Sequence, residues 1–78
     1  MFVYVLISKK FNSFYIGISK DPDKRLQEHN AGMTKSTKFR RPFVIVYKEH
    51  YPDLKTARVR EKYLKSGEGR ELLKNMLK

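Results

Sequence analysis

The sequence predicts a small α/β domain of the α+β type, with its elements in the order strand, strand, helix, strand, helix, helix. Three observations predict it. Three short runs rich in β-branched and aromatic residues, at 2–7, 14–18 and 43–47, have the length of strands rather than helices. Amphipathic segments opened by aspartates at 21 and 53, and a third near the C-terminus, carry helix-start chemistry and helical spacing. Seventy-eight residues are enough for one core and no more, burying about 60% of the surface that the unfolded chain exposes. The chain is therefore expected to be a single domain over residues 1–78.

Each element has its own justification. Residues 2–7 are apolar throughout, which fits a strand covered on both faces and central in its sheet. A polar stretch from Ser8 to Ser13 joins it, as a hairpin, to a second strand at 14–18, where Gly17 implies a close approach. Asp21 caps a short helix with Pro22 at its first position, and Gly32 can end it. Arg25 and His29, four residues apart, project from one face of that helix, and Leu26 is its main apolar anchor. Residues 33–42 interleave hydroxyls with Lys35, Lys38, Arg40 and Arg41, as a phosphate-contacting loop would. After the third strand, Asp53 opens a helix over about 54–66, stopped by Gly67, and residues 70–78 form a last amphipathic helix.

Composition narrows the partners. Eighteen Lys and Arg against eight Asp and Glu leave a net charge of +10, which favours polyanions, with nucleic acid ahead of an anionic membrane surface. With no cysteine there is no disulfide framework and no thiolate zinc site, which fits a reducing compartment. The apolar start lacks a basic leader region and a cleavage site, and no run approaches the roughly 20 residues of a membrane span, so a soluble, cytoplasmic protein is expected. There is no Walker-type phosphate loop and no His-Glu-x-x-His, and the carboxylates are too few for a two-metal centre.

Glu61 is the least comfortable residue in this pattern. Leu54, Ala57, Glu61 and Leu64 fall on one helical stripe that is otherwise apolar. A carboxylate turned toward a core needs a metal, a cation or a hydrogen-bond network. One reading is a metal held against a polyanion; the other puts Glu61 at the edge of the stripe, paired with Arg58, Lys62 or Lys65. Lys55, Arg58, Lys62 and Lys65 form a basic face beside it, suited to phosphates or simply to solvent.

The segments Phe2-Val3-Tyr4 and Tyr15-Ile16-Gly17, the latter opening eleven residues after Tyr4, are followed by Arg25, then His29 four residues on, and Glu61 in a later helix. Together these resemble the GIY-YIG nuclease family, in its small stand-alone branch, over nearly the whole chain. The resemblance implies a three-stranded antiparallel sheet flanked by helices, and DNA phosphodiester hydrolysis with a single Mg²⁺ or Mn²⁺. It also implies roles: Tyr4 and Tyr15 as the paired motif tyrosines, Arg25 facing the phosphate, Glu61 as the metal ligand, His29 orienting water or the leaving group, and Asn75 as a further polar residue. The first motif lacks its glycine, and Ile18 stands where some relatives have a lysine. Any cationic lowering of a tyrosine pKa must then come from Arg25, the metal or the loop at 35–41. Lys35, Lys38, Arg40, Arg41, Lys55, Arg58, Lys62 and Lys65 are the expected phosphate contacts. Three readings remain open at this point: a DNA endonuclease-type domain for repair or recombination, a non-catalytic nucleic-acid-binding module on the same fold, and a subunit whose protein partner supplies specificity.

Overall fold

A strand apolar on both sides has to be covered on both sides, and the first run, Phe2–Ser8 (β1), is the middle of the sheet. The computed structural model describes residues 1–77; Lys78, the last residue of the expected final helix, lies outside them. After β1 come Phe14–Ser19 (β2), the helix Pro22–Asn30 (α1), a 3₁₀ turn at Lys38–Arg40, Phe43–His50 (β3), Leu54–Lys65 (α2) and Gly67–Met76 (α3). Both partners pair antiparallel with β1, giving the order β2-β1-β3 and a three-stranded α+β fold in the expected ββαβαα order.

Alternation along β1 serves two separate cores. Val3 and Val5 point to one face, where Ile16, Ala57, Leu64 and Leu73 bury them under α2 and α3. Tyr4 and Leu6 point to the other, where they pack with Phe43, Tyr15, Leu26 and Ile45 beside α1. Each fully buried aliphatic side chain is worth about 1.5–3 kcal/mol. The register with β3 slips between Val5 and Leu6, so that Val5 faces Tyr47 and Leu6 faces Ile45. This bulge lets the consecutive residues Val46 and Tyr47 both pack on the α2–α3 core.

The helix starts follow the sequence. The Asp21 carboxylate accepts from the Lys24 amide at 3.1 Å, and that of Asp53 from the Thr56 amide at 2.7 Å. The last boundary differs from expectation, because Gly67 does not simply stop α2 but begins α3. Ser66 serves both helices: its amide bonds back to the Tyr63 carbonyl at 3.0 Å, and its hydroxyl accepts from the Gly69 amide at 3.2 Å. Gly69 lies so close to the last turn of α2 that a Cβ there would run into the Tyr63 carbonyl and the Leu64 backbone.

Polar side chains tie the layers together. The Asn30 amide group donates to the Phe43 carbonyl at 3.0 Å and accepts from the Phe43 amide at 2.7 Å, fastening the end of α1 to the start of β3. Glu49 on β3 accepts from the Tyr47 and Tyr51 hydroxyls at 2.5 and 2.8 Å and from Arg60 Nε of α2 at 2.8 Å. Burial alone would raise the Glu49 pKa, but the hydrogen bonds from Arg60, Tyr47 and Tyr51 outweigh it and hold the carboxyl below the usual range.

Gly17 faces Tyr4 across the β1–β2 pair, and an added Cβ would lie 2.6 Å from the phenol oxygen and 2.7 Å from Cζ. The close approach expected at this glycine is therefore that of an aromatic ring. Gly17→Ala should lower the free energy of unfolding in urea by about 1–3 kcal/mol, and in a Tyr4→Ala background that penalty should vanish. Glu49 supplies the pH dependence. Its folded pKa is depressed, so its contribution is complete above the unfolded value near 4.3 and is lost as pH falls through the lower folded value. Urea midpoints between pH 6 and 3 should show this loss, and Glu49→Gln should flatten that part of the profile.

Candidate active site

Four elements each send one chemistry-bearing side chain to the same place. Tyr4 of β1, Tyr15 of β2, Arg25 of α1 and Glu61 of α2 line an open cleft of about 360 Å³, with Gly17 in its wall and Arg58 and Leu54 on the α2 side. Sheet geometry accounts for the first two: Tyr4 and Tyr15 lie on the same face of adjacent strands, with rings 6.4 Å apart. Helical spacing accounts for the α2 side. Ala57 and Leu64 turn inward and are fully buried, whereas Leu54, Arg58 and Glu61 run along the rim. The stripe read from the sequence thus divides, and Glu61 lies at its edge.

Glu61 has a local base for a partner, as the second sequence reading expects. Its carboxylate pairs with Lys65 Nζ at 3.3 Å, one helical turn on, yet it shares the cleft with Tyr4, Tyr15 and Arg25. Lys65 is more than half exposed, so the pair is weak and exchangeable. Arg25 is held in the same manner, its NH1 bonding the Glu28 carboxylate at 2.5 Å. The Tyr4 phenol and Glu28 both raise the pKa of this guanidinium.

Behind the cleft lies a buried relay. His29 is fully buried, its ring edge-on to Tyr15 at 4.7 Å and tilted against Phe43 at 5.8 Å. Its Nδ1 is 2.8 Å from the Thr37 hydroxyl, which donates to the Thr34 carbonyl at 3.3 Å. When Thr37 commits its proton to Thr34 it can only accept from the ring, and in that arrangement Nδ1 carries the hydrogen. Nε2, 3.5 Å from the Tyr4 hydroxyl, is then the acceptor. Burial, reinforced by the charge of Arg25, lowers the His29 pKa and keeps the ring neutral. Burial also raises the Tyr4 pKa, outweighing the Arg25 guanidinium beside it, with Tyr15 pushing the same way. At Tyr4 the Arg25 guanidinium does pull the phenol pKa down, but desolvation is the larger effect.

The remaining expected residues are spread over the surface. Lys35 and Lys38 are exposed on the loop after α1, Lys55 and Lys62 are exposed on α2, and Asn75 is exposed on α3, outside the cleft. Arg41 packs its guanidinium over Gly32. Arg40 bonds the Ser13 hydroxyl at 2.7 Å and the Phe14 carbonyl at 3.1 Å, and lines a second cavity away from the tyrosines. Sequence reasoning missed Glu28, the partner of Arg25, and Thr37, the partner of His29. The Arg25–Glu28 spacing of three was the available signal for the first; Thr37 was hidden in a loop rich in hydroxyls.

A family model described as the GIY-YIG catalytic domain matches residues 1–74. The chain belongs to the GIY-YIG family. It is 41% identical over 73 residues to a UPF0213 protein of Staphylococcus haemolyticus, covering 91% of this chain and 89% of that protein. It is also 39% identical over 66 residues to a UPF0213 protein of Staphylococcus aureus, covering 83% and 79% of the two chains. The solution NMR structure of a UPF0213 protein from Bacillus halodurans matches 96% of this chain and 82% of that one, with a TM-score of 0.57 and 32% identity. The fold is therefore that of a GIY-YIG domain, a nuclease-type family.

The relay predicts a spectroscopic signature. In ¹⁵N NMR spectra at neutral pH, His29 should show the Nδ1–H tautomer and remain neutral at pH values below its ordinary pKa of 6.5. Thr37→Val, which removes the acceptor, should abolish the single-tautomer pattern while leaving the fold intact by circular dichroism.

Proposed function

We propose that this GIY-YIG domain is a metal-dependent endonuclease-type enzyme that hydrolyses DNA phosphodiesters, in a repair or recombination setting. The observation that carries the reading is the convergence of Tyr4, Tyr15, Arg25 and Glu61, from four different elements, on one open cleft. Hydrolysis needs an oriented water, positive charge over the phosphate and relief for the leaving oxygen. Tyr4 passes its own proton to Nε2 of His29, a transfer for which the 3.5 Å separation must shorten in the substrate complex. Its phenolate takes the proton of the attacking water as the P–O bond to the leaving oxygen breaks, and that oxygen takes a proton from solvent. Tyr15 packs beside this pair and fixes the ring positions. Arg25 exchanges Glu28 for a phosphate oxygen.

The donor set also bears on the metal. Among the described residues no group of three or more His, Asp, Glu or Cys side chains gathers as a metal cage. One carboxylate at a cleft wall is the donor set of a hard ion that keeps most of its water and takes substrate oxygens, as Mg²⁺ or Mn²⁺ does. Glu61 would hold it, in exchange for Lys65. When bound, the ion supplies Lewis-acid stabilisation of charge on the phosphate. Lys55, Arg58, Lys62 and Lys65 of α2, with Lys35 and Lys38, are placed by this reading on flanking phosphates.

The two counterion pairs favour a second reading, a nucleic-acid-binding module that does not cut. One assay separates the two. Cleavage of supercoiled and flapped DNA in Mg²⁺ or Mn²⁺ is expected for the wild type, and Glu61→Ala or Arg25→Ala should each lower the rate about 10²–10³-fold. No cleavage, together with binding that weakens steeply with salt, identifies the binding module; cleavage surviving both substitutions overturns the proposed site.

A further inference from the structure

At the opposite end of β1 from the Met1 side of the cleft, the chain exposes an aromatic pair that its cores do not use. Phe11 is 52% exposed and Phe39 63% exposed, and their rings meet edge to face with centroids 6.0 Å apart. They come from different segments, the β1–β2 turn and the 3₁₀ turn before β3, and the surrounding bonds hold those segments together. The buried Ser8 hydroxyl donates to the Arg40 carbonyl at 2.6 Å and accepts from the Phe11 amide at 3.1 Å. The Lys9 amide donates to the Pro42 carbonyl at 2.9 Å, and Asn12 takes the left-handed conformation, φ 56°, to close the turn. Two phenylalanines presented to solvent on a fastened turn are therefore a built feature of this surface.

Cations surround the pair. Lys10 Nζ sits 5.4 Å from the centroid of the Phe11 ring, and Lys9 and Lys38 are exposed on either side. Next to Phe11 and Phe39 in sequence, Asn12, Ser13 and Arg40 line a cavity of about 480 Å³ with Arg70 and Lys74 of α3. Arg40 is pre-oriented there, because one end of its guanidinium is already bonded to Ser13 and Phe14. Among the described residues no carboxylate lines this cavity, and Glu71 pairs with one of its cations, Lys74, at 3.9 Å. Exposed rings beside a cavity richer in cations than in carboxylates match a nucleotide, whose base offers a flat π-face and whose phosphate offers charge. A protein surface would match the rings alone.

We propose that Phe11 and Phe39 form a stacking platform for an unpaired base, and that Arg40, Arg70 and Lys74 take the adjoining phosphate. The chain thereby prefers DNA in which a duplex passes into single strand. Tyr4 and Ser8 are four residues apart on β1, about 13 Å along the strand, so the platform engages the same DNA a few nucleotides from the cleft. This second contact deepens the nuclease reading and rests on it for biological meaning, but its binding can be measured without turnover.

The test is binding in EDTA, by fluorescence anisotropy, of a blunt duplex and of the same duplex carrying a single-stranded tail with 2-aminopurine near the junction. Wild-type protein should bind the tailed DNA about tenfold more tightly and quench the 2-aminopurine. Phe11→Leu/Phe39→Leu should equalise the two affinities and abolish the quenching, with an unchanged circular dichroism spectrum. Because the chain has no tryptophan, Phe39→Trp should keep the preference and report stacking through its own emission. Arg70→Ala/Lys74→Ala should weaken binding of the tailed DNA and reduce its salt dependence. Equal wild-type affinity for the two DNAs overturns the proposal. So does a leucine variant that changes the sedimentation of the free protein and leaves DNA binding untouched, since the pair would then be a self-association face. Failure of the nuclease reading is distinguishable: quenching and preference would persist in EDTA while no substrate is cut in metal.

Discussion

A tyrosine on a doubly covered central strand is the constraint from which the rest of this molecule follows. Tyr4 is 1% exposed, so its ring must be packed and its hydroxyl must find polar company. Gly17 meets the first demand by leaving the ring room on the neighbouring strand. His29 and Arg25, one turn apart on α1, meet the second. The ring orientation that buries Tyr4 is also the one that carries its hydroxyl to the cleft wall. Packing and site geometry are here a single arrangement, and no buried side-chain polar atom among the described residues lacks a partner.

The carboxylates divide into two kinds by the number of their partners. Glu49 accepts hydrogen bonds from Tyr47, Tyr51 and Arg60, and replacing it would leave several donors unsatisfied. Glu61 has one partner, the half-exposed Lys65, and Glu28 has one, Arg25. Single pairs of this exposure contribute about 0–1 kcal/mol. The structural carboxylate is thus locked, while those beside the cleft can be released by an incoming anion or cation at little cost. In a chain of net charge +10, such pairs also keep the cleft from being uniformly positive before substrate arrives.

Much of the fold was legible because periodicity and caps are local. The strand runs, the two aspartate caps and the crowding at Gly17 all depend on residues near in sequence or on simple alternation. What escaped was set by distant partners. β3 continues to His50 through Lys48 and Glu49, whose polarity marks a strand end in sequence but is satisfied by Arg60 and Tyr51 in the fold. His29 read as sharing a helix face with Arg25, and the fold encloses it between Tyr15 and Phe43 with its Nδ1 against the Thr37 hydroxyl. Asn30, two residues before the glycine expected to end that helix, proves to clamp β3. Among the site residues, the motif spacing brought Tyr4, Tyr15, Arg25 and Glu61 into view. The loop cations could not be assigned by spacing, and Arg40 turns out to serve a different cavity.

The titration directions bear on when the proposed chemistry can begin. Burial raises the Tyr4 phenol and lowers the His29 imidazole, which widens the gap between proton donor and acceptor and makes the transfer unfavourable in the free protein. Closing that gap requires positive charge beside the phenol or negative charge beside the imidazole. Arg25 supplies the first only in part while Glu28 shares its guanidinium. Glu61 itself pushes the phenol upward, and this effect would reverse in sign if that carboxylate held a divalent cation. In the free protein the proton therefore stays on Tyr4, and in the proposed reaction it would be a divalent cation at Glu61, in place of Lys65, that supplies the missing positive charge.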